Sequence, residues 1–327
     1  MRQALAAEAG RHRLGGVDVL RGLCVLLVTL HHIHLRFWIN DYDVDGVLPR
    51  TLNQLLFWSG YYAVIAFFVI SGFLITGLSM RRWGELGRIH VGRFYRMRAA
   101  RILPSLLLLL LVLSALHLAG APEFTIPPER ASLAQALWSA LTFHLNWLEG
   151  RRGYLPGDWD VLWSLSIEET FYLLFPLACR LLRREALLLL PLGCLLILGP
   201  VNRTVYAGQD PWGQYAYLSC MDAIAFGALA ALALGAGVGN SSLSAGTGWL
   251  RAVGRSSYEI YLFHMLVVLG LIGLFKQWKP SLSMIPLWYL AMLLLSISIG
   301  VALFRYYSEP LNLRLRARGA HVRTGAA

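Results

Sequence analysis

The sequence predicts an all-α, polytopic transmembrane helical bundle of about eight crossings plus one re-entrant or interfacial helix. Composition is the first sign: of 327 residues, 57% are hydrophobic and 14% charged, with a mean hydropathy of +0.56. A soluble domain carries about 25% charged residues. The second is that apolar runs of roughly 20 residues, the length a helix needs to cross the hydrocarbon core, recur along the whole chain. Finally, the segments between the runs are short, which leaves no separate soluble domain and makes helices the way to satisfy the backbone at membrane depth. The net charge of +11 and pI of 9.8 would suit nucleic acid. Here, however, Lys and Arg gather beside the apolar runs, the pattern of cytoplasmic loops, so membrane lipid is the expected partner and nucleic acid is not.

In chain order the spans are expected at 17–39, 54–80, 101–120, 161–181, 186–200, 215–236, 256–275 and 284–305. The N-terminus (Arg2, Arg11, Arg13), the loop 81–101 with seven arginines, the Arg180/Arg183/Arg184 cluster and the tail (Arg314, Arg316, Arg318, Arg323) read as cytoplasmic. The 40–53 loop, with Asp41, Asp43 and Asp45, reads as exterior. Both internal arginine clusters lie inside only if two crossings separate them, so the apolar stretch 133–148, which holds His144 and Asn146, should not cross. Both termini are then cytoplasmic, in a multi-pass protein of the inner (plasma) membrane. The Gly/Ser stretch 235–248 reads as a flexible cytoplasmic loop. The organisation is a basic N-terminus, 1–16, a membrane domain, 17–310, and a basic tail, 311–327. Four cysteines, Cys24, Cys179, Cys194 and Cys220, lie in apolar segments without metal-ligand spacing, so neither a metal nor a disulfide framework is expected.

The first span carries a polar ladder: Asp18, Arg21 and, after an apolar stretch, His31-His32. Arg21 and His32 are eleven residues apart, about three turns, and so share a helix face about 16 Å apart along the axis. Asp18 falls close to that face. Ionisable groups at membrane depth are costly and mark a pathway or a site. His31 lies about 100° off the face and His34 roughly opposite, so both read as structural.

Four further clusters follow. Phe67-Phe68 with Ser71-Gly72 lies in the second span, where small residues also allow close helix approach. Arg98 and Arg101, three apart, share a face at the mouth of the third span, and two guanidinium forks suit phosphate oxygens as well as a topological anchor. Trp163-Ser164-Leu165-Ser166-Ile167-Glu168-Glu169-Thr170-Phe171-Tyr172 opens an apolar helix on the exterior side. Adjacent acids diverge by about 100°, so Glu168 is expected inside, one turn from Ser164 and Tyr172, and Glu169 towards solvent or headgroups. Tyr258, Tyr261 and His264 follow at three-residue steps, with His264 inside the span.

Taken together and in this order, these motifs resemble acyltransferase family 3, membrane proteins that move acyl groups, often acetyl, to sugars and other hydroxyl-bearing acceptors. The resemblance runs from Val17 to Pro310. The chain departs from the pattern at Ala63-Val64-Ile65, where many members have Gly-Val-Asp, and in the short segment between Ala236 and Trp249, which fits the loss of a helix pair. The resemblance implies cytoplasmic acyl-CoA, with acetyl-CoA the expected form, as donor substrate with no permanently bound cofactor. It implies Arg98, Arg101, Ser71, Tyr261 and His264 on the acyl-CoA side. His32 is expected as general base or transient acyl carrier, with Arg21, Asp18 and Glu168 beside it in catalysis. Tyr172, Asn146 and Ser164 are expected on the acceptor side, facing a carbohydrate or another hydroxyl compound. The competing reading is a transporter or exporter of acylated or acidic small molecules, since intramembrane His, Arg and Asp also form relays. The gathering of arginines at one mouth speaks for the enzyme.

Overall fold

A computed structural model of the chain describes residues 14–42, 44, 48–235 and 247–321. Helix α1, Gly15–Trp38, carries the polar ladder, and short α2, Arg50–Phe57, precedes α3, Gly60–Trp83. A 3-10 turn, Leu86–Arg88, leads into α4, Val91–Leu118. Short α5, Leu133–Leu141, and α6, Leu145–Arg152, are followed by the single turn α7, Gly157–Asp160, and by α8, Leu162–Leu182. Then come α9, Glu185–Val205, the turn α10, Trp212–Tyr215, and α11, Tyr217–Leu234. After α12, Gly248–Arg255, the chain forms α13, Ser257–Trp278, and α14, Ile285–Leu303, which passes through a π-helical turn, Phe304–Ser308, into α15, Glu309–His321.

Among the described residues there is no strand, and eight helices are long and apolar enough to cross a membrane. They are α1, α3, α4, α7 with α8, α9, α10 with α11, α13, and α14 with its extension. A 24-residue helix such as α1 or α3 is about 36 Å long, more than the roughly 30 Å hydrocarbon core. The short expected span 186–200 is in fact 21 residues of α9. The 133–148 stretch does not cross: α5 has nine residues, about 13 Å. Ser132 and Gln135 start it with a reciprocal capping box, and the chain breaks at Phe143, whose φ is 58°.

Three expectations need correction. The arginine segment 81–101 is not a loop, because α4 begins at Val91 and its first three turns hold Arg93, Arg96, Arg98 and Arg101. Helix-favouring Arg, Met and Ala carry the helix there, and carboxylates from other helices receive the inward arginines. The second span begins at Gly60, with α2 as a separate helix before it. Much of the expected tail, 311–327, continues as α15, which packs along α4. Most of the 235–248 stretch lies outside the described residues, as do Asp43 and Asp45. Both internal arginine clusters do meet at one end of the bundle: Gly87 abuts the Arg183 backbone, and Leu86 N donates to Glu185 Oε1 at 3.4 Å.

The α7–α8 span is the most enclosed of the eight, whereas α9 and α14 lie at the periphery with Leu189, Leu190 and Leu294 exposed. Two apolar clusters fill the interior. One is built mainly on α1, α4, α5 and α13, the other on α3, α8 and α11, and the polar site lies between them. Helices α3 and α11 touch backbone to backbone, since a Cβ at Gly72 would strike the Ile224 carbonyl and one at Gly227 the Val69 carbonyl. Gly227→Leu should therefore force the helices apart, at a cost of about 1–3 kcal/mol or more. In detergent the variant should unfold several degrees below wild type, while Gly77→Ala, at a position with nothing within 4 Å, should leave the melting curve unchanged.

Candidate active site

Helices α1 and α13 run parallel and are joined by two polar rungs. Arg21 Nε donates to Ser257 Oγ at 3.1 Å, and three turns further on His32 meets His264, with ring centroids 4.9 Å apart. The helical phase read from the sequence thus directs both Arg21 and His32 at the same neighbouring helix. The other two histidines of α1 make different contacts. His31 Nδ1 lies 2.6 Å from the Phe57 carbonyl, and buried His34 stacks on Phe57 at 4.6 Å and bonds the Tyr289 hydroxyl at 3.0 Å.

The partners of the histidine pair fix its tautomers. A carbonyl only accepts, so His264 Nδ1, 2.6 Å from the Tyr261 oxygen, carries its proton and leaves Nε2 as the acceptor of a neutral ring. His32 Nδ1–H, 3.0 Å from that Nε2 and also 3.0 Å from the Val28 carbonyl, is shared between the two. The remaining nitrogen, His32 Nε2, keeps its lone pair. A ring held by its neighbours with one nitrogen free has the form a general base requires.

The second layer lies towards the arginine-rich end. Arg101 forms a bidentate pair with Glu259, 2.8 Å from Nη1 to Oε1 and 3.3 Å from Nη2 to Oε2. Glu259 is 0% exposed and also accepts from Ser105 at 3.4 Å and from Ser308. Arg98 pairs with Glu169 at 3.2 Å, lies 3.7 Å over the Tyr172 ring, and has an Nε hydrogen without a protein acceptor. Ser71 donates to Glu168, and Glu168, Asp18, Tyr172 and Arg101 surround Arg21. Arg21 therefore belongs to this layer together with Asp18 and Glu168, three turns from His32, and not beside it as expected.

Glu169 is buried and paired with Arg98, contrary to the expectation that it would face solvent or headgroups. The reason is the central place of α8: protein surrounds it broadly enough that two faces 100° apart both meet other helices. Tyr172, expected with the acceptor, instead packs under Arg98. It lies fifteen residues into the span that starts at Gly157, roughly 22 Å along the axis, and so at the arginine end. Tyr261 and His264, expected beside the donor, sit at the His32 rung, where the Tyr261 hydroxyl donates to the Val161 carbonyl at 3.0 Å and meets Ser164 at 2.8 Å.

Beyond the histidines, Asn146 donates to the Tyr215 carbonyl at 2.9 Å. Near it lie Arg36, Glu149, Asp158 and Asp160, which the motif reading passed over. Arg36 is one turn after His32 on α1, and that spacing was the signal available. Glu149 Oε1 accepts from Leu155 N at 3.1 Å. Burial, and next the Asp160 carboxyl, push Glu149 well above the usual carboxylate range. Burial, followed by the charges of Asp210, Asp160 and Glu149, pushes the Tyr154 phenol up to about 12.

A family described as an acyltransferase domain matches residues 14–206 and 185–305. O-acetyltransferase OatA of Staphylococcus aureus strain NCTC 8325 / PS 47 is 28% identical over 233 residues, covering 64% of this chain and 34% of that protein. The protein of the same name from strain COL aligns with the same figures. The aligned part is about a third of the length of these relatives. No solved structure matches the chain at a significant level.

Proposed function

The chain belongs to acyltransferase family 3, and from that premise we propose that it is an integral membrane O-acetyltransferase moving an acetyl group from acyl-CoA to a hydroxyl of a carbohydrate. The observation that carries the reading is the His32–His264 pair, which leaves one imidazole nitrogen free inside a bundle of membrane-spanning length. The donor enters at the arginine-rich end, taken as cytoplasmic from the charge bias of the loops, and the acceptor enters from the opposite end. Membership of the family and the name of the relatives support the reaction class. The donor, the acceptor and the orientation are this reading's own.

In the proposed reaction His32 Nε2 takes the proton of the acceptor hydroxyl as its oxygen attacks the thioester carbonyl carbon. The C–S bond then breaks, and the leaving sulfur receives the proton from His32 Nε2–H. The products are the O-acetyl ester and free CoA thiol, and His32 returns to its starting form. His264 is the positioning residue: it holds the His32 Nδ1–H and keeps Nε2 as the base. In the donor layer Arg98, with its unused Nε hydrogen, is the guanidinium best able to hold a CoA phosphate, whereas Arg101 is committed to Glu259.

Purified protein incubated with labelled acetyl-CoA and a set of glycans should release thiol and yield a labelled glycan, and absence of both would remove the reading. Arg98→Ala should raise the apparent KM for acetyl-CoA about tenfold, the worth of one charge-assisted bond. It should matter less for a short acyl-thioester lacking the nucleotide phosphates. An equal loss with both donors would return Arg98 to a purely structural role.

A further inference from the structure

We infer that Arg36 is a further catalytic residue of this site, whose guanidinium donates a hydrogen bond to the thioester oxygen as negative charge gathers there. The inference rests on the acyl-transfer reading, in which His32 Nε2 is the base. That reaction leaves one charge without a partner. As the acceptor oxygen bonds the carbonyl carbon, the C=O electron pair moves onto the carbonyl oxygen. It returns to re-form C=O when the C–S bond breaks. Inside a protein, such an oxyanion is stabilised by a donor already fixed where the charge develops.

The other donors around the histidine rung are already engaged. His264 gives its Nδ1 hydrogen to the Tyr261 carbonyl and accepts at Nε2. The Tyr261 hydroxyl donates to the Val161 carbonyl, and Ser164 donates to the same oxygen at 3.3 Å. His31 is held by the Phe57 carbonyl, and Arg21 lies three turns away on Ser257. Arg36 differs from all of these, because its Nε is buried and has no acceptor in the protein. It follows His32 by four residues on α1, so the two side chains are neighbours on one face, about 5–6 Å apart at Cβ. Helical side chains lean towards the N-terminus, which tilts Arg36 back over the His32 turn, and Arg36 is among the charged groups that act on His32. Its far end is also fixed. A Cβ at Gly157 would strike both Arg36 Nη2 and Met265 Cε, so the fork is seated against the first residue of α7, beside the neighbour of His264. Asp160 and Asp158 face it from the same turn. They hold the cation there and leave the Nε hydrogen unused.

Steady-state kinetics of purified variants test the assignment, with labelled acetyl-CoA as donor and maltotetraose and chitotetraose as acceptors. Arg36→Lys keeps a cation opposite Asp158 and Asp160 but removes the Nε hydrogen and the rigid fork, so it separates a catalytic role from a structural one. Its kcat should fall at least tenfold, towards the roughly 10²–10³-fold that one oxyanion donor contributes. Both KM values should stay within threefold, and the melting curve should match wild type. Gly157→Ala leaves Arg36 in the chain but places a methyl group where its Nη2 sits, and kcat should fall in the same way. Gly77→Ala, at a position with nothing within 4 Å, should keep the wild-type kcat. If Arg36→Lys does not purify, Gly157→Ala decides by the same criterion. A loss of less than tenfold in kcat, or one carried by KM or by the melting temperature, overturns the inference and leaves the acyl-transfer reading standing. Absence of thiol release and of sugar acetylation in wild type would remove that reading and the inference with it.

Discussion

Replacing His32 with alanine should abolish acyl transfer, lowering turnover by about 10²–10⁴-fold, the usual contribution of a general base, while the protein still folds. The free nitrogen of His32 is the proposed proton acceptor, and no other described ring shares its place between Val28, His264 and the α1 face of Arg21. His264→Ala should reduce the rate by less: it removes the acceptor of the Nδ1–H, but the Val28 carbonyl still holds that proton in place. His31→Ala should act on stability, through the lost contact with the Phe57 carbonyl, more than on turnover. Rates of thiol release, measured beside melting curves for the three variants, check the order. Retention of more than a tenth of wild-type activity by His32→Ala, with loss in His31→Ala, would mean that the other face of α1 carries the chemistry.

Arg101→Ala should cost the protein its stability before it touches catalysis. The variant leaves Glu259, 0% exposed, with only Ser105 and Ser308 for partners. Removing one member of a buried ion pair typically costs about 3–5 kcal/mol because the other charge remains buried and uncompensated. Far less protein should therefore be recovered from membranes, with a clearly lower unfolding temperature. The double variant Arg101→Met with Glu259→Leu should recover much of that loss, since it removes both charges and keeps the volume. Were Arg101→Ala as stable as wild type, with only a raised KM for acetyl-CoA, Arg101 would be a phosphate ligand in the manner the motif alone suggests.

The reading of α1 from sequence succeeds because one straight helix fixes the relative direction of its own side chains. Eleven residues return to the same face, so Arg21 and His32 can be aligned, and His31 and His34 set aside, without knowing what they meet. Crossing number is legible for a similar reason, since hydrocarbon thickness imposes the helix length and charge bias pairs the loops. What escapes is partnership across the chain. Arg98 and Glu169 are 71 positions apart, Arg101 and Glu259 158, and His32 and His264 232. No local periodicity announces such pairs. Glu169 was misplaced because one helix considered alone has an inside and an outside, whereas α8, enclosed on most sides, has little outside. Tyr172 was misplaced because a motif occupies several turns, and its last residue lies much deeper than its first. Arg36, Asp158 and Asp160 belong to no recognisable motif and acquire meaning only when the start of the α7–α8 span is brought against the end of α1.

The central claim is that an acyl group passes directly from a donor at the arginine-rich end to a hydroxyl from the other end, with His32 as the base that takes the hydroxyl's proton. The most direct measurement uses sealed proteoliposomes carrying the protein in one orientation, with labelled acetyl-CoA on the side of the arginine-rich end and the sugar acceptor only on the opposite side. The account predicts labelled sugar on the acceptor side and free CoA thiol on the donor side in equal amounts, and neither with His32→Ala. Labelled sugar formed only when donor and acceptor share one side, or formed equally well by His32→Ala, would contradict it.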